Sequence, residues 1–95
     1  MRLVRKYPLA LQKEQEVTLP NGATPKHCAA IGDVPYIWAI VDPDAPMITC
    51  VVTMFETGET FQEWSEDLPD GFRGDYLGTV ILSDGRELHF VRRVP

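Results

Sequence analysis

Tyr36-Ile37-Trp38-Ala39-Ile40-Val41 is the stretch on which the reading of the fold turns. In an extended chain successive side chains point to opposite faces. Here both alternating sets, Tyr36/Trp38/Ile40 and Ile37/Ala39/Val41, are apolar, the pattern of a strand covered on both sides. Asp42-Pro43-Asp44-Ala45-Pro46 follows and forces a loop, because proline cannot donate to a ladder. Ile48 to Phe55 is again apolar and β-branched, so the two segments are expected to pair as a hairpin at the centre of a sheet.

Working outward, residues 2–7, Gln15 to Leu19 and Lys26 to Ile31 read as short strands, stopped by Pro8, Pro20-Asn21-Gly22 and Gly32-Asp33. Towards the other end, Tyr76 to Leu82 and Glu87 to Val94 flank Ser83-Asp84-Gly85-Arg86, where Asp-Gly suits a two-residue type I′ turn. Pairing Ser83 with Arg86 would set Ile81 opposite Leu88 and Thr79 opposite Phe90 on the core side. Between these halves, Thr60-Phe61-Gln62-Glu63 matches a capping box, and Phe61, Trp64 and Leu68 recur at helical spacing. That predicts one short helix over about 61–68, ended by Pro69-Asp70-Gly71. The expected class is mainly β (all-β to α+β): six or seven short strands and one helix in a small barrel or strongly bent antiparallel sheet.

Ninety-five residues make a single domain, 1–95, with one modest core. A hydrophobic share of 44% with two Trp and four Phe excludes a disordered chain. No stretch approaches the roughly 20 apolar residues that span a bilayer. The basic opening Met1 to Lys6 meets Pro8 before an apolar run can form, so no cleaved leader is expected. A cytoplasmic location follows as the expectation, with Cys28 and Cys50 as free, buried thiols and a single disulfide between them as the alternative. The net charge of -5 is unevenly spread: from Asp42 to Asp75 nine carboxylates stand against Arg73 alone, a local net of -8. Like-charge repulsion there disfavours direct nucleic-acid binding and favours a basic protein surface.

Several landmarks occur in a fixed order: Lys6-Tyr7-Pro8-Leu9, Leu19-Pro20-Asn21-Gly22-Ala23, Trp38-Ala39-Ile40-Val41-Asp42-Pro43, Thr57-Gly58 and Tyr76-Leu77-Gly78-Thr79-Val80. Together they resemble a family of small proteins of unknown function encoded by phages and prophages. The resemblance spans nearly the whole chain and implies a phage-related origin and the cytoplasm of a bacterial host. Glu56-Thr57-Gly58-Glu59 stands where that family has Gly-Thr-Gly-His, so no role for that histidine carries over.

No catalytic or metal-binding motif can be assembled, and no cofactor is implied. His27 and Cys28 are chain neighbours on a strand and point to opposite faces. The acidic segment offers a partner-binding surface of Glu59, Glu63, Glu66, Asp67 and Asp70, with Trp64 as anchor. Tyr36 with Arg5 and Arg92 offers an alternative site for a nucleotide-like ligand, if the first and last strands lie side by side. The leading expectation is therefore a non-enzymatic interaction protein that inhibits a host or competing-element protein, as a monomer or small homo-oligomer. A ligand-sequestering module and a phage-particle assembly accessory are the alternatives.

Overall fold

The computed structural model describes residues 1–59 and 73–94. Seven strands form in chain order: β1 (Leu3–Pro8), β2 (Glu14–Pro20), β3 (Thr24–Ile31), β4 (Val34–Val41), β5 (Met47–Glu56), β6 (Arg73–Ile81) and β7 (Glu87–Val94). They lie in two antiparallel sheets, a three-stranded one ordered β1-β4-β3 and a four-stranded one ordered β2-β5-β7-β6. This is neither the small barrel nor the single strongly bent sheet expected. Sheet edges remain, and the core sits between two layers. The helix expected over 61–68 lies outside the described residues.

The core comes from one alternating set of each strand. Ile37, Ala39 and Val41 of β4 and Cys28 of β3 meet Val17 and Leu19 of β2, Cys50 and Val52 of β5, Val80 of β6, and Leu88 and Phe90 of β7. Complete burial of an aliphatic or aromatic side chain contributes about 1.5–3 kcal/mol. Phe90, Leu19, Ile37 and Leu88 are the largest buried in this way.

Two pairings differ from the sequence expectation. β4 and β5 do not form a hairpin: β4 pairs with β1 and β3, and β5 with β2 and β7. The loop between them begins as a turn, with Ala45 N donating to Asp42 O and Asp44 N donating to the Asp42 carboxylate. Asn21 N then donates to Pro46 O, and the chain passes to the other sheet. The reason is that two strands with such apolar inner faces bury more by facing each other across the core than by lying edge to edge.

At the β6–β7 end, Gly85 N donates to Leu82 O and Leu82 N to Arg86 O, a three-residue loop in which Gly85 (φ 89) takes the left-handed conformation. The register moves by one residue from the expected two-residue turn. Val80 therefore faces Leu88, and Gly78 faces Phe90, on the core side. The two-residue type I′ turn occurs instead at Gly32-Asp33, where both φ angles are positive (54 and 65).

The sheets approach most closely where β3 meets β6. A β-bulge lies between Tyr76 and Gly78, and a Cβ added at Gly78 (φ 149) would sit 2.6 Å from Cys28 Cβ. The hairpin tips are joined above this point. Ser83 donates to both carboxylate oxygens of Asp33, through its backbone N at 2.8 Å and its Oγ at 2.5 Å.

Candidate functional site

Two outer surfaces result, and they differ in chemistry. On the three-stranded sheet, register fixes which residues share the outer face. Lys6 of β1 and His27 of β3 both stand opposite Trp38 of β4. Tyr36 lies two residues before Trp38 on the same face. The Trp38 ring is 5.3 Å from His27 and 6.1 Å from Tyr36, tilted to each, and the Lys6 ammonium lies 4.7 Å from the Tyr36 centroid. Val4, 62% exposed, stands opposite Ile40 at one end of this face, and Val34 and Ile31 pair at the other. Tyr36, Trp38 and Ile40 are only partly buried, so among the described residues full cover of β4 is found on its inner side. No acidic side chain occurs on any of these three strands, whereas Arg5, Lys6 and Lys26 do.

The outer face of the four-stranded sheet is acidic and hydroxylic. Glu14 and Glu16 of β2 stand opposite Thr53 and Val51 of β5. Thr53, Phe55 and Val91 are nevertheless buried to 2% or less on this side. Beside them His89 is held at both ring nitrogens. Thr57 Oγ1 lies 2.6 Å from Nε2, while Tyr76 Oη and Thr79 Oγ1 lie 2.7 and 3.0 Å from Nδ1. Thr57 also donates to Glu87 at 3.2 Å, which leaves its oxygen to accept from Nε2–H and makes Nδ1 the acceptor for Tyr76 or Thr79. These groups satisfy one another, so the cluster is a brace tying the end of β5 to β6 and β7.

Of the acidic surface residues expected from sequence, Glu59 is described. It is exposed, pairs with Lys13 and accepts from Glu56 N at 3.3 Å. Lys13 in turn lies 4.1 Å from the Phe55 centroid. Glu63, Trp64, Glu66, Asp67 and Asp70 lie outside the described residues.

Of the alternative ligand set, Tyr36 is on the outer face just described, and Arg5 on β1 stands opposite Ala39, alternating away from Lys6. Arg92 belongs to the other sheet, where its Nη1 donates to Ala23 O at 3.2 Å. The first and last strands lie in different sheets, so the fold does not gather these arginines around Tyr36. Sequence reasoning missed Lys6 and His27 as neighbours of Trp38, because only strand order places them there. It also missed the brace, although Thr57-Gly58 and Tyr76 to Val80 had stood out as blocks.

Cys28 and Cys50 are free and face the interior. Burial pushes the Cys28 thiol up to about 11, and it raises Cys50 as well, against the opposing pull of Arg92. Among the described residues no three His, Cys, Asp or Glu side chains are grouped to hold a metal ion. No helix among them is long and apolar enough to cross a membrane.

No curated protein and no solved structure matches this chain. One family model does, and its match runs through every strand and both outer surfaces. Matched over residues 1–95, the chain belongs to the family described as a domain of unknown function, DUF7352.

Proposed function

We propose that the protein is a non-enzymatic interaction protein that binds another protein, and inhibits it, through its acidic side. The carrying observation is an uneven charge: on the strands of the four-stranded sheet Glu14, Glu16, Glu56, Asp75 and Glu87 outnumber Arg73, Arg92 and Arg93, while the strands of the other sheet carry bases and no acid. An acidic face steers a basic partner into register and repels acidic competitors. In sequence, Glu63, Glu66, Asp67 and Asp70 follow Glu59 and add to the acidic charge. The resemblance to phage and prophage proteins supports a target in a bacterial host or a competing genetic element, and action in the cytoplasm.

The test is a triple substitution, Glu63→Lys, Glu66→Lys and Asp67→Lys. The wild-type chain expressed in bacteria is expected to carry a stoichiometric protein in native mass spectrometry. The triple variant should keep its circular dichroism spectrum and lose that protein. Undiminished capture by the variant would overturn the reading.

A second reading, a module for a nucleotide-like ligand, is favoured by one arrangement: Trp38 and Tyr36 partly exposed on the outer sheet face with the Lys6 ammonium over the Tyr36 ring. Phosphate attraction there comes from Lys6 rather than from Arg92, which is engaged at Ala23.

A further inference from the structure

We propose that the outer face of the three-stranded sheet is a stacking platform for single-stranded nucleic acid, an inference that rests on the second reading and gives its ligand a class. The starting point is a mismatch. β4 is apolar on both faces, yet Ile37, Ala39 and Val41 are 0–1% exposed while Tyr36, Trp38 and Ile40 remain partly open. A strand sequence of that kind belongs in a layer covered from both sides.

Size narrows the occupant. Three strands at about 4.8 Å spacing, about 20 Å long for β1 and about 27 Å for β3 and β4, present roughly 350 Å². A standard protein interface takes about 800 Å² from each partner. The face is too small for a stable dimer through a second copy and suits a few nucleotides. Its chemistry fits them: His27, Trp38 and Tyr36 form a consecutive row of rings 5.3 and 6.1 Å apart. Every base has a π face, so such a row holds single strands with little regard to sequence. Lys6 stands beside the row, and Lys26 is the extra residue of the bulge in β3. These supply the charge that a phosphate backbone requires.

The acids of the described strands do not veto this placement. The acids of β2 and β7 flank the opposite sheet, about 10 Å further through the sandwich, which is about a Debye length at physiological salt. Among the described residues, the carboxylates adjoining this sheet are Asp33, engaged by Ser83 at the hairpin tip, and Asp42 and Asp44 in the loop beyond β4. Duplex DNA hides its base faces and is not the expected ligand.

The experiment is fluorescence anisotropy with labelled oligodeoxythymidylate and oligouridylate at about 50 mM salt, where phosphate contacts are strong. Saturable binding is expected, with a logarithmic salt slope of roughly -1.4 from two phosphate contacts on a single strand. Trp38→Ala should weaken binding about tenfold or more through lost stacking. Lys6→Glu, an exposed change that leaves the core untouched, should weaken binding and flatten the slope. A preference between the two oligomers would assign the strand as DNA or RNA. Flat titrations with both, or binding that both variants leave unchanged, would overturn the proposal. A flat oligonucleotide titration with a melting temperature raised by single nucleotides would overturn this class while leaving the second reading standing. If the Glu63, Glu66 and Asp67 variant keeps the oligonucleotide but loses its protein, the two surfaces act separately.

Discussion

Ionising a thiol inside an apolar layer places a charge where water cannot reach it, so Cys28 and Cys50 stay neutral and unreactive while the fold holds. At about pH 8 iodoacetamide should leave the native chain unmodified and alkylate both cysteines in urea, as read by mass spectrometry. Labelling of either one in the native protein would contradict their interior placement. Since the Cys28 value rises from 9.0 unfolded to about 11 folded, its contribution is complete below about 9 and is lost as pH climbs towards 11. Chemical denaturation across that range should show stability falling with rising pH. Burial of these thiols was legible in the sequence, because cysteines flanked by Val51 and Ala29 sit in strand-like apolar runs. The hydroxyl ring around His89 was not. Thr57, Tyr76, Thr79 and Glu87 come from three separate stretches, and no spacing rule connects them before strand order is known.

At the scale of elements, all seven strands could be placed from alternation and turn residues, each end to within about two or three residues. Partnership was harder. Asp42-Pro43-Asp44-Ala45-Pro46 has the composition of a hairpin loop, and composition cannot distinguish a return along the same sheet from a crossing to the other one. The last hairpin shows the same limit on a finer grain. Asp84-Gly85 fits a two-residue and a three-residue loop equally well, and the choice is made by burying Val80, Leu88 and Phe90 together. Gly78 carries a sharper consequence. Its positive φ and the Cys28 Cβ position leave no room for a methyl group, so Gly78→Ala should cost about 2–4 kcal/mol from strain and overpacking combined. A urea midpoint unchanged in that variant would show that β3 and β6 are not in such close contact.

For the molecule as a whole, the interior holds the two sheets together, and among the described residues a polar clasp joins the hairpin tips, Asp33 with Ser83. Hydrogen bonds from the Ser83 hydroxyl and backbone hold the Asp33 carboxyl below its usual 3.8. The clasp therefore contributes above that value and is lost as the pH falls through the depressed one. Asp33→Asn tests this cleanly, because asparagine tolerates the positive φ of the turn but carries no charge. The wild type should be the more stable near neutrality, and the gap should close on acidification. A pH-independent gap would assign the difference to the turn instead. The same clasp has a kinetic side. Only β3–β4 and β6–β7 join strands that are neighbours in sequence, and every other pairing must close a long loop first. The two local hairpins are the pieces that form early, and their tips meet at Asp33 and Ser83, just above the Cys28–Gly78 approach. Docking them there shortens the search that remains for β1, β2 and β5. Damage at that junction is then expected to slow the arrival of the native state more than it hastens its departure.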